Sequence, residues 1–268
     1  MKKTFKPLIM VLSAIGFFAF LSVIVYILVN GIPSIDSSLF EFKYTSENHS
    51  IIAPLLTTLV TIVITLLIAL PIGIFTAIYT TQYAKNKKVV KAVSFTTEIL
   101  AAIPSIVYGL FGYLSFVIFF KMEFSIIAGC MTLMIMVLPT IIRTSEEAIL
   151  SVNTLQRDAS LALGASKLTT IFKIIIPEAL PGILAGVFLA TGRIVGETAA
   201  LMYTMGTYVA PPSSLSTSSR TLAVHMFMLS SEGLYVDKAY ATAVILLVFV
   251  ILVNAISNQL AKKIIKEN

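Results

Sequence analysis

Charge is scarce in these 268 residues: 12% are Asp, Glu, Lys or Arg, 57% are hydrophobic, and the mean hydropathy is +0.96. A soluble domain carries about twice that charged share, so an ordinary water-soluble globule is excluded and a membrane protein expected. Cysteine is scarcer still. The single Cys130 lies in an apolar run, and neither an internal disulfide nor a zinc site of cysteines can form. Of the 2 histidines, neither stands beside a carboxylate pair or a nucleophile within an apolar run. With no metal-ligand cluster either, a membrane enzyme is the weakest functional class. No G-x-x-x-x-G-K-S/T phosphate loop occurs, so any ATP hydrolysis needs a separate subunit. The net charge of +6 would suit nucleic acid only if the cations shared a face with aromatics. They sit instead at the ends of apolar runs, and no nucleic-acid partner is expected.

Uncharged sequence is what the chain has in abundance. Lys2, Lys3 and Lys6 precede an uncharged run over 7–35, longer at about 1.5 Å per residue than the roughly 30 Å hydrocarbon core. A signal peptide's apolar region is shorter, about 7 to 15 residues, so this run reads as an uncleaved anchor. The polar loop after it holds Asp36, Glu41, Lys43 and Glu47, with His49 as a solvated loop histidine. The next run, 50–84, is too long for one perpendicular span, so it should tilt or protrude, with Pro71 as a bend. Further spans are predicted over 99–120, kinked at Pro104, over 124–142, over 180–205 and over 239–261. Thr144 and Glu147 have capping-box spacing and should open a cytosolic helix. A Pro- and Ser-rich segment, 206–233, reads as a re-entrant or capping element.

The basic residues test this arrangement. With the N-terminus in the cytosol, fourteen of the 19 Lys and Arg fall inside, and Lys43, Lys121, Arg220 and Lys238 fall outside. That asymmetry favours an all-α integral membrane protein with six transmembrane helices and both termini cytoplasmic. Arg193 is left in the membrane. A charge at mid-bilayer costs about 2.5–3.5 kcal/mol on insertion scales, so it should face an interior or a water-filled path. Glu197 follows four residues later, on the same helix face if the helix continues, and the two could form a structural ion pair or line a path for an anionic solute. On that helix Gly182, Gly186, Gly192 and Gly196 offer small surfaces for close helix packing.

Between the fourth and fifth spans lies a polar island, 158–177, on the cytosolic side. Ala159, Ala162 and Ala165 make a small-residue surface, and Leu161 and Leu163 supply apolar contact. Gly164 can take the left-handed conformation that ends a helix. Ser166 then caps a second short helix bearing Lys167, Leu168, Ile171 and Phe172, which Pro177 should close. The expectation is a helix, a sharp corner and a helix.

The order Asp158-Ala159-Ser160, then Gly164, then Ile174-Ile175-Ile176-Pro177, resembles the EAA loop of binding-protein-dependent ABC importer permeases, with Asp for Glu and Ser for the last Ala. That likeness implies the type I importer permease fold, with coupling helices seated on an ATPase through Asp158, Ala159, Ser160, Gly164, Ala165, Ser166, Lys167, Ile174 and Pro177. PSIVYGLFG at 104–112, LPTIIRTSEEAI at 138–149 and GRIVGETAALMYTMG at 192–206 further resemble the PstA and PstC family of phosphate permeases, from about residue 52 to 261. The likeness implies an anchor and first extracytoplasmic loop over 1–50, a permease domain over 51–262 and a cytosolic tail over 263–268. It also implies a phosphate path through Arg193, Glu197 and Arg143 in the plasma membrane. The partners implied are a PstC-like permease as heterodimer, a homodimeric ATPase that binds the ATP, an extracytoplasmic phosphate-binding protein and membrane lipid, with no cofactor on this chain. A permease for sulfate, molybdate or phosphonate, and an ATP-independent carrier or channel, stay open as alternatives.

Overall fold

A computed structural model describes residues 2–231 and 233–267, and side chains for 8–231, 233–256 and 259. The side chains of Lys2, Lys3, Lys6, Lys262, Lys263 and Lys266 lie outside the described residues. All regular structure among the described residues is helical, as a bilayer requires of backbone that must bond to itself.

Helix α1 (Lys2–Gly31) leads through two short 3-10 turns to α2 (Ile52–Ile78), which holds Pro71 in its interior and passes into a π-helical turn at Tyr79–Tyr83. α3 (Lys87–Ala102) and α4 (Ser105–Gly112) meet at a bend of 103°. The kink expected at Pro104 in the 99–120 span is therefore a full break. Pro104 has no N–H and excludes the helical conformation from the residue before it, so α3 stops and α4 starts on Pro104 as its cap. α5 (Ile126–Ser151) runs unbroken past Thr144. The capping box does not form, because the Thr144 hydroxyl donates to the Thr140 carbonyl at 2.8 Å within the same helix.

After α6 (Thr154–Ala162) and α7 (Lys167–Thr170), a π-helical turn at Ile171–Ile175 leads directly into α8 (Ile176–Gly196). Pro177 thus ends nothing. It sits in the first turn of α8, where a missing N–H is tolerated. α9 (Ala199–Thr204), α10 (Leu222–Ser231) and α11 (Val236–Glu267) complete the chain. Five helices are long and apolar enough to cross a membrane, or six when the bent α3–α4 pair counts as one.

The core is a three-helix seam of α2, α5 and α8, packed around Ile62, Leu133, Val137, Ile141, Ala190 and Ile194. Glycine makes it close. A Cβ on Gly186 would lie 1.9 Å from Thr144 Oγ1, and one on Gly182 would lie 2.6 Å from Ala148 Cβ. Gly192 and Gly196 face open space instead, so only the first glycine pair packs within this chain. Gly109 and Gly112 press α4 onto α9 and Thr132.

At the other end from α6 and α7, the Pro- and Ser-rich segment acts as a cap. The Ile126 N–H donates to the Thr217 carbonyl at 3.1 Å and the Ile127 N–H to the Leu215 carbonyl at 2.9 Å. These are N–H groups that the first turn of α5 cannot satisfy internally. Nearby, His49 is buried rather than solvated. Its ring lies 4.0 Å from the Tyr235 ring, and its carbonyl meets His225 Nε2 at 3.2 Å. The two histidines, 176 residues apart in sequence, thus join the 35–51 loop to α10.

Candidate functional site: a docking corner continuous with a charged membrane helix

Three local signals build the corner. The Asn153 side chain accepts from the Leu155 N–H and starts α6. Gly164 takes a φ of +85°, a conformation that costs a side chain but not glycine. Ser166 then accepts from the Thr169 N–H and starts α7. Helix, corner and helix form as the spacing predicts.

The two helices are bound to each other from inside. Ser160 and Thr170 place their hydroxyl oxygens 2.9 Å apart, and both residues are buried. Ser160 therefore locks the corner rather than facing outward. Asp158, Ala159, Gly164, Ser166 and Lys167 are exposed, whereas Ala165, Ile174 and Pro177 are half-buried. Leu155, Leu163 and Leu168 project outward, with Leu163 89% exposed. Behind the corner, Ile171 and Ile175 pack with Ala77, Ile78, Ile149 and Val152. Lys167 places its ammonium 4.4 Å from the centre of the Tyr83 ring, at the end of the π turn after α2.

The charged residues lie further along the same helical rod. Arg193, half-buried, is in the last turn of α8. Glu197 does not share its face. The helix breaks there: Glu197 takes an extended conformation (φ −75°, ψ 128°), and its Oε1 accepts from the Ala200 N–H at 3.0 Å. The carboxylate caps α9 and forms no ion pair with Arg193. Among the described residues, the salt bridges are Arg157–Asp158 and Lys238–Asp36. The predicted fifth span is thus two helices, because a buried carboxylate is better satisfied by the open N–H groups of a new helix than by continuing the old one.

Arg143 is exposed on α5. The contacts of Gly186 with Thr144 and Gly182 with Ala148 set the antiparallel register of α8 on α5. In that register Arg193 stands about six residues, hence about 9 Å, further along the bundle axis than Arg143. The two cations are therefore staggered along the bundle axis, and neither has a carboxylate partner among the described residues. Sequence reasoning missed the break at Glu197. The signal was Gly196, whose weak helical preference lets the chain leave the helix at that point.

Residues 69–266 match the family model described as the binding-protein-dependent transport system inner membrane component. The chain belongs to this family of multi-span membrane permeases. It is 34% identical over 202 residues to a probable ABC transporter permease protein, YqgI, of Bacillus subtilis, covering 69% of each chain. It is 31% identical over 269 residues to the phosphate transport system permease protein PstA homolog of Mycoplasma genitalium, covering 96% of this chain but 40% of that protein. In structure it superposes on a chain of a bacterial alginate ABC transporter with a TM-score of 0.73 at 17% identity, covering 99% of this chain and 96% of the other. That likeness establishes the type I importer permease fold, as the sequence implied.

Proposed function

We propose that this chain is a permease subunit of an ATP-driven importer that carries inorganic phosphate into the cytoplasm, with both termini on the cytosolic side. The observation that carries the reading is the unbroken rod from Lys167 to Gly196, which joins an exposed docking corner to Arg193. The fork of an arginine suits the oxygens of a phosphate, and the name of the Mycoplasma relative supports phosphate over other oxyanions.

In this mechanism the corner seats on a homodimeric ATPase through Asp158, Ala159, Gly164, Ala165, Ser166 and Lys167. Closure of the ATPase pair displaces the corner, and α8 follows because no flexible joint separates them. Arg193 and Arg143 offer the anion two successive positive stations. Glu197 keeps the α9 end fixed while α8 moves. A PstC-like permease supplies the other half of the path, against the open face of Gly192 and Gly196, and an extracytoplasmic phosphate-binding protein delivers the solute.

Uptake in membrane vesicles holding the chain with these partners tests the proposal. Arg193→Ala should abolish ATP-dependent phosphate uptake in a complex that still assembles. Uptake indifferent to ATP would refute the importer, and ATP turnover stimulated by sulfate or molybdate but not phosphate would replace the solute. Ala159→Asp should release the ATPase, and retained ATPase binding would refute the docking role.

A further inference from the structure

A cavity of about 180 Å³ lies between the docking corner and the end of α2. Its lining draws from three elements: Arg157 and Leu161 of α6, Lys167 and Thr170 of α7 with Ile171 and Ile175 beyond it, and Gln82 of the π turn after α2. Arg157, Gln82 and Ile175 also line a smaller adjoining cavity of about 70 Å³. The wall toward the bundle is apolar, since Ile171 and Ile175 are buried. The donors are an Arg guanidinium, a Lys ammonium and a Gln amide. Against these two cations the nearby counter-charge is Asp158, whose carboxylate lies 3.8 Å from Arg157 Nε with a side chain 67% exposed.

We propose that this cavity binds a phosphate group from the cytosolic side and thereby regulates coupling. Arg157 and Lys167 both line the cavity, with the guanidinium beside Asp158 and the ammonium over the Tyr83 ring; turned onto a phosphate they form charge-assisted hydrogen bonds to its oxygens, and the amide of Gln82 adds a third donor. Such an anion would bridge both docking helices to the π turn after α2, and so tether the corner that the mechanism above requires to move. Occupancy holds α6 and α7 against that turn and slows transport. The anion is either free phosphate or the headgroup of an anionic phospholipid, for which Leu161, Ile171 and Ile175 provide apolar contact at the membrane edge. Binding here is independent of which solute the permease carries, so the site can fail while the transport reading stands, and the reverse.

The test uses the full chain in nanodiscs without the ATPase, which would cover Lys167, with amine-selective acylation of Lys167 followed by mass spectrometry. In zwitterionic discs, inorganic phosphate should slow Lys167 acylation, while the exposed Lys85 and Lys88 react at an unchanged rate. Discs containing phosphatidylglycerol, without added phosphate, show whether a lipid headgroup gives the same protection. Protection by phosphate alone assigns the free anion, and protection by the lipid alone assigns the headgroup. Arg157→Gln and, separately, Gln82→Glu should weaken protection about tenfold or more, the cost of losing one charge-assisted bond or adding a repulsive charge. Lys167 reactivity that neither phosphate source changes, or protection that survives both variants undiminished, would overturn the proposal.

Discussion

Replacing Glu197 separates two roles that a carboxylate at this position could have. As the cap of α9, its carboxylate satisfies the Ala200 N–H at 3.0 Å in a residue that is 8% exposed. Glu197→Ala removes the acceptor and leaves that N–H buried without a partner. Loss of a cap costs about 0.5–2 kcal/mol, and an unsatisfied buried donor about 1–3 kcal/mol. These describe the same loss, so the expected destabilisation is about 1–3 kcal/mol. Glu197→Gln keeps an acceptor oxygen in place and should cost under about 1 kcal/mol. Arg193 makes no ion pair with Glu197, so Arg193→Met combined with Glu197→Gln should add to within about 0.5 kcal/mol of the two single changes. The assay is reversible unfolding of the purified chain in bicelles, followed by steric trapping. If Gln proves as damaging as Ala, or the double variant reveals coupling above about 1 kcal/mol, the two residues are a pair and the cap is wrong.

Gly186→Val should prevent α8 from closing on α5, since its Cβ would lie 1.9 Å from Thr144 Oγ1; overpacking of this kind costs about 1–3 kcal/mol, and adding Thr144→Ala should recover part of the loss in the same unfolding assay. Gly164→Ala should loosen the corner by about 1 kcal/mol, because an L side chain is strained at φ +85°, read as faster proteolysis between α6 and α7. Burial, helped by the Arg220 charge, holds the His225 imidazole down to about 3, so the folded chain stays unprotonated where the unfolded chain takes up a proton near its usual 6.5. This histidine's contribution is therefore full above pH 6.5 and is lost as the pH falls toward 3, by at most about 1.4 kcal/mol per unit. Acid titration of the thermal midpoint should flatten in His225→Asn, and an unaltered slope would refute that account.

The spans were legible because uncharged runs and the distribution of lysine report the bilayer directly. The corner at Gly164 was legible because a glycine and a serine at that spacing have few other uses. What escaped were contests between two local preferences. Thr144 can cap a helix or bond to the carbonyl one turn back, and the packing of α5 on α8 decides for the second. Pro177 can end a helix or begin one, and the π turn before it supplies the slack that lets the helix continue. Glu197 can pair with Arg193 or cap α9, and a helix of six residues is too short to leave a sequence period that announces it. His49 looked solvated because its partners, Tyr235 and His225, are remote in sequence.

The rod from Lys167 to Gly196 also has a leverage of its own. From Pro177 to Arg193 is sixteen residues, or about 24 Å of helix. A tilt of the whole rod by about 10° would carry the guanidinium sideways, relative to Pro177, by about 4 Å, more than the length of a hydrogen bond. Small rotations at the docking end are thus sufficient to make or break the grip on an anion, and the amplitude of the switch is set by helix length rather than by any large rearrangement.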